Sequence, residues 1–307
     1  MKLPKAIRIR EVGPREGFQI FPVFVETSLK VRLIDLLSES GLGEIEITSF
    51  VRPDLVPQMA DAKDLVNAVK TNPKVRYSAL YLNQKGFIAA EKTGRLQNQA
   101  WLNAACSETF LKKNSNNDLQ SILDSIPSWL KLFSESKKDL HGLMLSTAFG
   151  CNYEGKIAAA QVCAVISKIT KQLEDNQSSL KEVCLADTVG MANPLSIKET
   201  LAAVRTLLPD IYLSLHLHDT RGLGLANAYS ALQEGIECFD TSIGGIGGCP
   251  FSKGSAGNIA TEDFVYMCSE IGIDTGVKLD KLLEASALLN QEAGMKIYSR
   301  YSNTPVL

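Results

Sequence analysis

Histidine and tryptophan are scarce in this chain, which holds three histidines and two tryptophans among 307 residues. Its seven cysteines are scattered and include no Cys-x-x-Cys pair, which disfavours a structural zinc site or a disulfide framework. No apolar run approaches the length of a membrane span, and the first residues lack the apolar core of a signal peptide. We therefore expect a cytoplasmic protein whose cysteines are reduced thiols.

Excess charge of one sign is also missing. The net charge is −2, and no basic stripe interleaved with aromatic residues is present, so the sequence gives no electrostatic footprint for nucleic acid. Hydrophobic residues at 45% and charged residues at 21% are ordinary for a globular domain. The composition therefore favours chemistry on a small molecule.

Short β-type runs alternate with amphipathic helical patterns along the whole chain. Eight strand candidates begin near residues 7, 43, 75, 100, 140, 182, 211 and 237. This alternation predicts an α/β fold, a (β/α)8 TIM barrel, formed as a single domain by residues 1–307 with residues 272–307 as a C-terminal helical extension. A doubly wound open sheet is the competing architecture, but no GxGxxG follows the first strand to open a helix.

Polar and ionisable residues collect at the predicted C-terminal ends of the strands, where a TIM barrel builds its active site. They are Arg15, Glu16, Glu46, Asp187, His216 and His218. His216 and His218 stand two apart on a predicted strand and so project to the same side, where two imidazoles can share a metal. The alternative is that they are structural histidines of the core.

Two oxygen donors could complete a metal site: Glu16 after the first strand and Asn258 after the eighth. A mixed nitrogen and oxygen set that leaves room for substrate favours Mg²⁺ or Mn²⁺ over a closed zinc site. Each donor has an ordinary alternative, because Glu16 could be a surface carboxylate and Asn258 could cap the following helix.

The glycine-rich stretch at 243–258 predicts a flexible lid with Cys249 near its middle. A cysteine in a mobile loop beside the site could donate or accept a proton once closure excludes water. A phosphate-binding loop is the competing interpretation, but the spacing of GxxxxGK[ST] is absent, and the thiol could equally be incidental.

Long motifs now carry a family resemblance. They include EVGPREGFQ at Glu11, EITSFVRPDLVPQMAD at Glu46, LADTVGMANP at Leu185, HLHDTRGLGLAN at His216 and GGIGGCPFSKGSAGNIATEDFVYM at Gly244. The chain resembles the hydroxymethylglutaryl-CoA lyase family, within the superfamily of metal-dependent lyases and Claisen-condensing barrels. The resemblance covers nearly the whole chain.

The resemblance implies a catalytic role for each matching residue. Arg15 would stabilise the enolate formed on cleavage, Glu46 and Asp187 would support the site electrostatically, and Cys249 would be the functional lid cysteine. The implied metal ligands are Glu16, His216, His218 and Asn258. Ser107 and Lys253 resemble parts that approach the CoA-bearing substrate, and a homodimer is expected by analogy.

One departure separates this chain from the family pattern VGPRDGLQNE, in which an aspartate is both metal ligand and candidate base. Here Glu16 takes that position and adds one methylene, while Phe18 and Ile20 replace the usual leucine and asparagine. The resemblance therefore leaves the exact acyl group of the substrate open.

The resemblance implies cleavage of 3-hydroxy-3-methylglutaryl-CoA, or a related 3-hydroxy-acyl-CoA, to acetyl-CoA and acetoacetate or the matching keto acid. A condensing acyltransferase of the isopropylmalate or citramalate synthase type is an alternative, although such chains usually carry a long regulatory extension. A non-catalytic acyl-CoA-binding relative is a third possibility, against which the presence of Arg15, Glu46, Asp187 and Cys249 argues.

Overall fold

A computed structural model of the protein describes residues 3–248 and 257–304. These residues divide into two compact units. The central unit is formed by Gln99–Glu237 together with Met1–Leu3, and the terminal unit combines Pro4–Asn98 with Cys238–Leu307. Formation of one domain stays a prediction.

The terminal unit contains four parallel strands in the order β3-β2-β1-β10. They are β1 (Arg8–Glu11), β2 (Glu44–Ser49), β3 (Arg76–Leu80) and β10 (Cys238–Thr241). The α-helices of this unit are α1 (Gly13–Ile20), α2 (Thr27–Glu39), α3 (Ala62–Ala68), α4 (Gln84–Glu91), α10 (Thr261–Glu270) and α11 (Leu279–Gln291). Two short 3-10 helices span Pro57–Met59 and Ile243–Gly245. The predicted C-terminal extension therefore contains α11.

The central unit contains the other four parallel strands, in the order β4-β5-β8-β9. They are β4 (Ala100–Ala105), β5 (Leu140–Ser146), β8 (Glu182–Ala186) and β9 (Tyr212–His216). A small antiparallel hairpin of β6 (Gly150–Cys151) and β7 (Gly155–Lys156) follows β5. The helices are α5 (Glu108–Ser115), α6 (Leu119–Glu135), α7 (Ala159–Asp175), α8 (Pro194–Leu207) and α9 (Gly224–Gln233). All eight predicted strands are thus present as parallel strands.

Local sequence explains where the helices begin. Ser107 caps α5 by accepting a hydrogen bond from the backbone N–H of Phe110, at 3.0 Å. Asn193 and Ser196 form a reciprocal capping box at the start of α8, with Pro194 in its first turn. These caps fix the points at which the chain leaves the strand ends.

Burial is the expected pattern for strands covered on both faces. Every residue of β8 and of β10 is buried. Among the described residues, no helix is long and apolar enough to cross a membrane, and the cysteines at 106, 151, 163, 184, 238 and 268 form no disulfide bond.

Candidate metal centre

The two histidines of the central unit converge as the sequence predicted. His216 ends β9, His218 follows two residues later, and their Nε2 atoms lie 3.1 Å apart in a buried environment. Two metal–nitrogen bonds of about 2.1 Å at a right angle would place the nitrogens about 3.0 Å apart. The pair therefore fits two neighbouring positions around one metal ion.

Asp187 follows β8 and is held by backbone groups. Its carboxylate accepts hydrogen bonds from the N–H groups of Met191 and Ala192, at 2.8 and 3.1 Å, and its own N–H donates to the carbonyl of His216, at 2.8 Å. Burial raises the pKa of Asp187 to about 6, against the effect of these N–H donors and of His216 and Arg221. Asp187 therefore braces the strand that presents His216.

Ser107, predicted to approach the substrate, lies at the end of β4 and is buried. Its hydroxyl is engaged as the cap of α5, and its backbone N–H donates to the Thr147 hydroxyl, at 3.2 Å. A contact between this side chain and substrate stays a prediction.

The terminal unit gathers Arg15 between two carboxylates. Its Nη2 lies 2.8 Å from a carboxylate oxygen of Glu16, and its Nε donates to Glu46 at 2.5 Å. Burial works against the charge on Arg15, but these two carboxylates more than offset it, so the pKa of Arg15 is raised. Burial has the opposite sign for an acid and raises the pKa of Glu46, while Arg15 acts to lower it. The result is a fixed cation between Glu16, in α1, and Glu46, which lies in the middle of β2 and not at its predicted C-terminal end.

Asn258 joins this group through Glu16. Its Nδ2 donates to Glu16 Oε2 at 2.7 Å and to the carbonyl of Ile246 at 3.1 Å. Its Oδ1 is buried and has no hydrogen-bond partner among the described residues. The interpretation of Asn258 as a helix cap is wrong, because Ala260 takes the cap position of α10 and no side chain caps that helix. A buried, unmatched amide oxygen beside a carboxylate is the kind of donor that a hard cation takes.

Close packing requires glycine at two positions within the glycine-rich stretch. A Cβ on Gly247, whose φ is +94°, would lie 2.7 Å from Asn258 Nδ2 and 2.8 Å from Glu16 Cβ. A Cβ on Gly257 would collide with the backbone of Gly247 and Gly248. The predicted Cys249 and Lys253 lie outside the described residues.

Sequence reasoning missed two buried glutamates that organise this part of the terminal unit. Glu11, at the end of β1, accepts hydrogen bonds from Gly13 N at 2.7 Å, Ile243 N at 2.8 Å and the Thr261 hydroxyl at 2.6 Å. Burial raises the pKa of Glu11 to about 8, even though these donors act to lower it. Glu11 thus ties the start of α1, which carries Arg15 and Glu16, to the start of the glycine-rich stretch.

The second missed acid is Glu262, in the first turn of α10. Its carboxylate accepts from the N–H of Gly244 at 2.8 Å and from the Ser302 and Ser286 hydroxyls, and burial raises its pKa. The sequence signal for Glu262 was weak, since an acid in the first turn of a helix is commonplace.

The sequence signal available for Glu11 was a carboxylate that ends an apolar strand immediately before a Val-Gly-Pro turn.

Comparisons with known proteins define the family to which the chain belongs. Residues 6–289 match the HMGL-like family model, and the chain belongs to that family. It is 41% identical to the mitochondrial hydroxymethylglutaryl-CoA lyase of Mus musculus over 97% of this chain and 89% of the relative.

Two solved structures show the fold. An HMG-CoA lyase from Bacillus subtilis superposes with a TM-score of 0.90 at 39% identity, covering 99% of each chain. One from Acinetobacter baumannii, in complex with coenzyme A and 3-methylmalate, gives a TM-score of 0.88 at 33% identity over 100% of both chains. The predicted TIM-barrel fold and the predicted family are therefore confirmed.

Proposed function

We propose that this protein is a divalent-metal-dependent lyase that cleaves 3-hydroxy-3-methylglutaryl-CoA to acetyl-CoA and acetoacetate. Relatives at about 40% identity along almost the whole chain are hydroxymethylglutaryl-CoA lyases, and the bound coenzyme A in the Acinetobacter baumannii structure supports an acyl-CoA substrate. The observation that carries the proposal is the buried Asn258 Oδ1, which has no hydrogen-bond partner among the described residues and belongs to the side chain that donates to Glu16. The same chain holds His216 and His218 with their Nε2 atoms 3.1 Å apart.

The proposed metal ligands are Glu16, Asn258, His216 and His218. Each of the glutamate and the two histidines offers one ligand atom, a carboxylate oxygen or a ring nitrogen, and Asn258 offers its carbonyl oxygen. Two nitrogens and two oxygens suit Mg²⁺ or Mn²⁺, with positions left for substrate. When bound, the ion would supply Lewis acidity towards the substrate hydroxyl and a neighbouring oxygen.

Cleavage is a retro-Claisen reaction of the retro-aldol type. A base removes the proton of the hydroxyl group on C3. The C2–C3 bond then breaks, and its electron pair becomes part of the enolate of the acetyl-CoA thioester. C3 then becomes the ketone carbon of acetoacetate, and the enolate carbon takes up a proton to give acetyl-CoA. Glu16 is the candidate base and Cys249 the candidate proton donor.

We assign stabilisation of the enolate to Arg15. Its guanidinium is pinned by Glu46 and Glu16, so little reorganisation is needed when negative charge develops nearby. Glu46 holds this cation in place, and Asp187 orients the backbone at His216. Ser107 and Lys253 are assigned to the CoA-bearing part of the substrate.

Homodimerisation, which rests on analogy, and a cytoplasmic location belong to the same proposal. Sedimentation velocity and fractionation of cells expressing the natural gene would test them separately.

The deciding experiment is a coupled assay for acetyl-CoA release from 3-hydroxy-3-methylglutaryl-CoA. Dialysis against EDTA should abolish turnover, and Mg²⁺ or Mn²⁺ should restore it, with the preferred ion identified by titration. Unchanged turnover after complete removal of metal, verified by elemental analysis, would refute the metal-dependent mechanism.

A further inference from the structure

Helix α1 carries an exposed apolar side chain on the same face as a proposed metal ligand. Glu16 and Ile20 are four residues apart, so they lie on one face about 5–6 Å from each other at Cβ. Ile20 is 41% exposed although it is large and apolar. Helical side chains lean towards the N-terminus and cover the preceding turn, so we expect the Ile20 side chain to lean towards Glu16.

The opposite face of α1 is anchored in the core. Phe18, about 200° round the helix from Glu16, is only 1% exposed. The backbone N–H of Phe21 ends the helix by bonding to the carbonyl of Phe18, at 3.2 Å. The helix is therefore held from behind, and Ile20 is the exposed apolar residue on the face that carries Glu16.

The segment after Ile20 is also fixed, through a buried lysine. Lys30 is 1% exposed, bonds to the carbonyl of Gln58 at 2.6 Å and to Asp61 at 2.8 Å, and lies 4.4 Å from the ring centre of Phe24. Gln58 in turn donates to the carbonyl of Phe21, at 2.8 Å. Ile20 consequently stands on an ordered support, and a ligand that contacts it pays little ordering entropy.

We propose that Ile20 forms an apolar wall next to Glu16 that contacts the alkyl substituent at C3 of the substrate and favours substituents larger than methyl. This inference rests on the proposed function, because C3 carries the hydroxyl that would approach the metal held by Glu16. The substrate class is therefore 3-hydroxy-3-alkylglutaryl-CoA, with an alkyl group of two or more carbons preferred.

The test measures kcat/KM for the 3-methyl, 3-ethyl and 3-butyl homologues with saturating Mg²⁺. Each methylene that reaches Ile20 should raise kcat/KM about fourfold. Ile20→Asn should bring the butyl-to-methyl ratio close to one. Val23→Asn is the matched control, since Val23 is also exposed but lies beyond the end of α1, and it should keep the wild-type ratio.

Three results would overturn the inference. The wild type could prefer the methyl compound, Ile20→Asn could keep the wild-type ratio, or Val23→Asn could lower it equally. A shift from dimer to monomer in sedimentation velocity for Ile20→Asn, with an unchanged ratio, would assign the side chain to a subunit contact instead.

A binding measurement separates this inference from the proposed function. The 3-alkylglutaryl-CoA esters lack the 3-hydroxyl and cannot undergo the cleavage, so their affinities can be measured by calorimetry in the presence of Mg²⁺. Affinity that rises with alkyl length and is lost in Ile20→Asn supports the wall even if no homologue is cleaved. Turnover of the homologues without any dependence on length refutes the wall and leaves the lyase proposal intact.

Discussion

The central and terminal units present their site residues in different ways. In the central unit, His216 is placed by the strand that it ends, and Asp187 is held by backbone N–H groups a few residues away. In the terminal unit, Arg15, Glu16 and Glu46 hold one another through side chains, and Asn258 reaches Glu16 across 242 positions of sequence. The first arrangement is local, and the second depends on distant parts of the chain. Substitutions in the two units should therefore differ in how they change metal affinity, turnover and stability.

The largest effect is expected for His218→Ala in the central unit. The change removes a neutral nitrogen ligand, so metal affinity should fall by more than the roughly 10–100-fold that loss of an outer partner costs. Activity at limiting Mn²⁺ should disappear with it. Metal titration followed by activity checks this, and unaltered affinity would remove His218 from the ligand set.

Arg15→Gln in the terminal unit should leave metal affinity nearly unchanged while kcat falls by about 100- to 1000-fold. The reason is that the guanidinium stabilises charge that develops during the reaction and is not itself a ligand. The measurement is the same titration, carried out in parallel with His218→Ala. Equal loss of metal in both variants would contradict the division of roles.

Glu16 decides whether the terminal unit supplies a ligand at all. Glu16→Gln should lower both metal affinity and turnover, because the amide keeps the shape but loses the charge and the basicity. Glu16→Asp should lower activity if the surroundings, including Phe18 and Ile20, fit the longer side chain, and we expect that outcome. Wild-type behaviour of Glu16→Gln would show that the carboxylate is a bystander.

A pair of glycines sharpens the comparison further. Gly247 in the terminal unit and Gly222 in the central unit both have positive φ, at +94° and +73°, but a Cβ on Gly222 would meet nothing within 4 Å. Alanine at Gly222 should cost about 1–2 kcal/mol of unfolding free energy from the positive φ alone, and alanine at Gly247 should cost more because its Cβ would also collide. Gly247→Ala alone should also weaken metal binding, because its methyl group would displace Asn258 and Glu16. Urea unfolding and metal titration of both variants provide the check.

The smallest effect concerns pH. Burial raises the pKa of Glu11 to about 8 from 4.5, so the folded state holds a proton that the unfolded chain has released. The stability from this group is fully present below about pH 4.5 and is lost as pH rises through 8, with a slope of at most about 1.4 kcal/mol per pH unit.

Glu11→Gln should flatten the decline in unfolding free energy between pH 6 and 8. Glu284→Gln, on the exposed side of α11, is the control and should keep the wild-type slope. A rise in wild-type stability over this interval would contradict a raised pKa for Glu11.

Much of the architecture could be predicted from the sequence because strands and helices have local periodicities. All eight strands of the barrel lie where the apolar runs placed them, and the pairing of His216 with His218 follows from the two-residue repeat of a strand. The β6–β7 hairpin was not anticipated, since two residues per strand leave no periodic signal.

The remaining parts of the site depend on contacts that have no local signature. Asn258 has the sequence context of a helix cap, and only the structure, in which Ala260 takes the cap position of α10, shows that Asn258 does not cap the helix. Glu11 reaches partners more than 230 residues away, so its side chain could not be distinguished from a strand-end carboxylate. Burial and partner choice at these positions are products of the tertiary fold.

The terminal unit has a consequence for biosynthesis because it is assembled from the two ends of the chain. β1 pairs with β10, so the pairing of Arg8 with Cys238 cannot form until Cys238 has been synthesised. The hydrogen bond between Glu16 and Asn258 likewise requires Asn258. At the usual rate of about 5–20 residues per second, the ribosome makes the whole central unit during the interval between these partners. During that time the N-terminal third carries an unpaired strand edge and the acids Glu11 and Glu16 without their distant partners, so a chaperone that shields strand edges should increase the yield of folded enzyme more than added metal does.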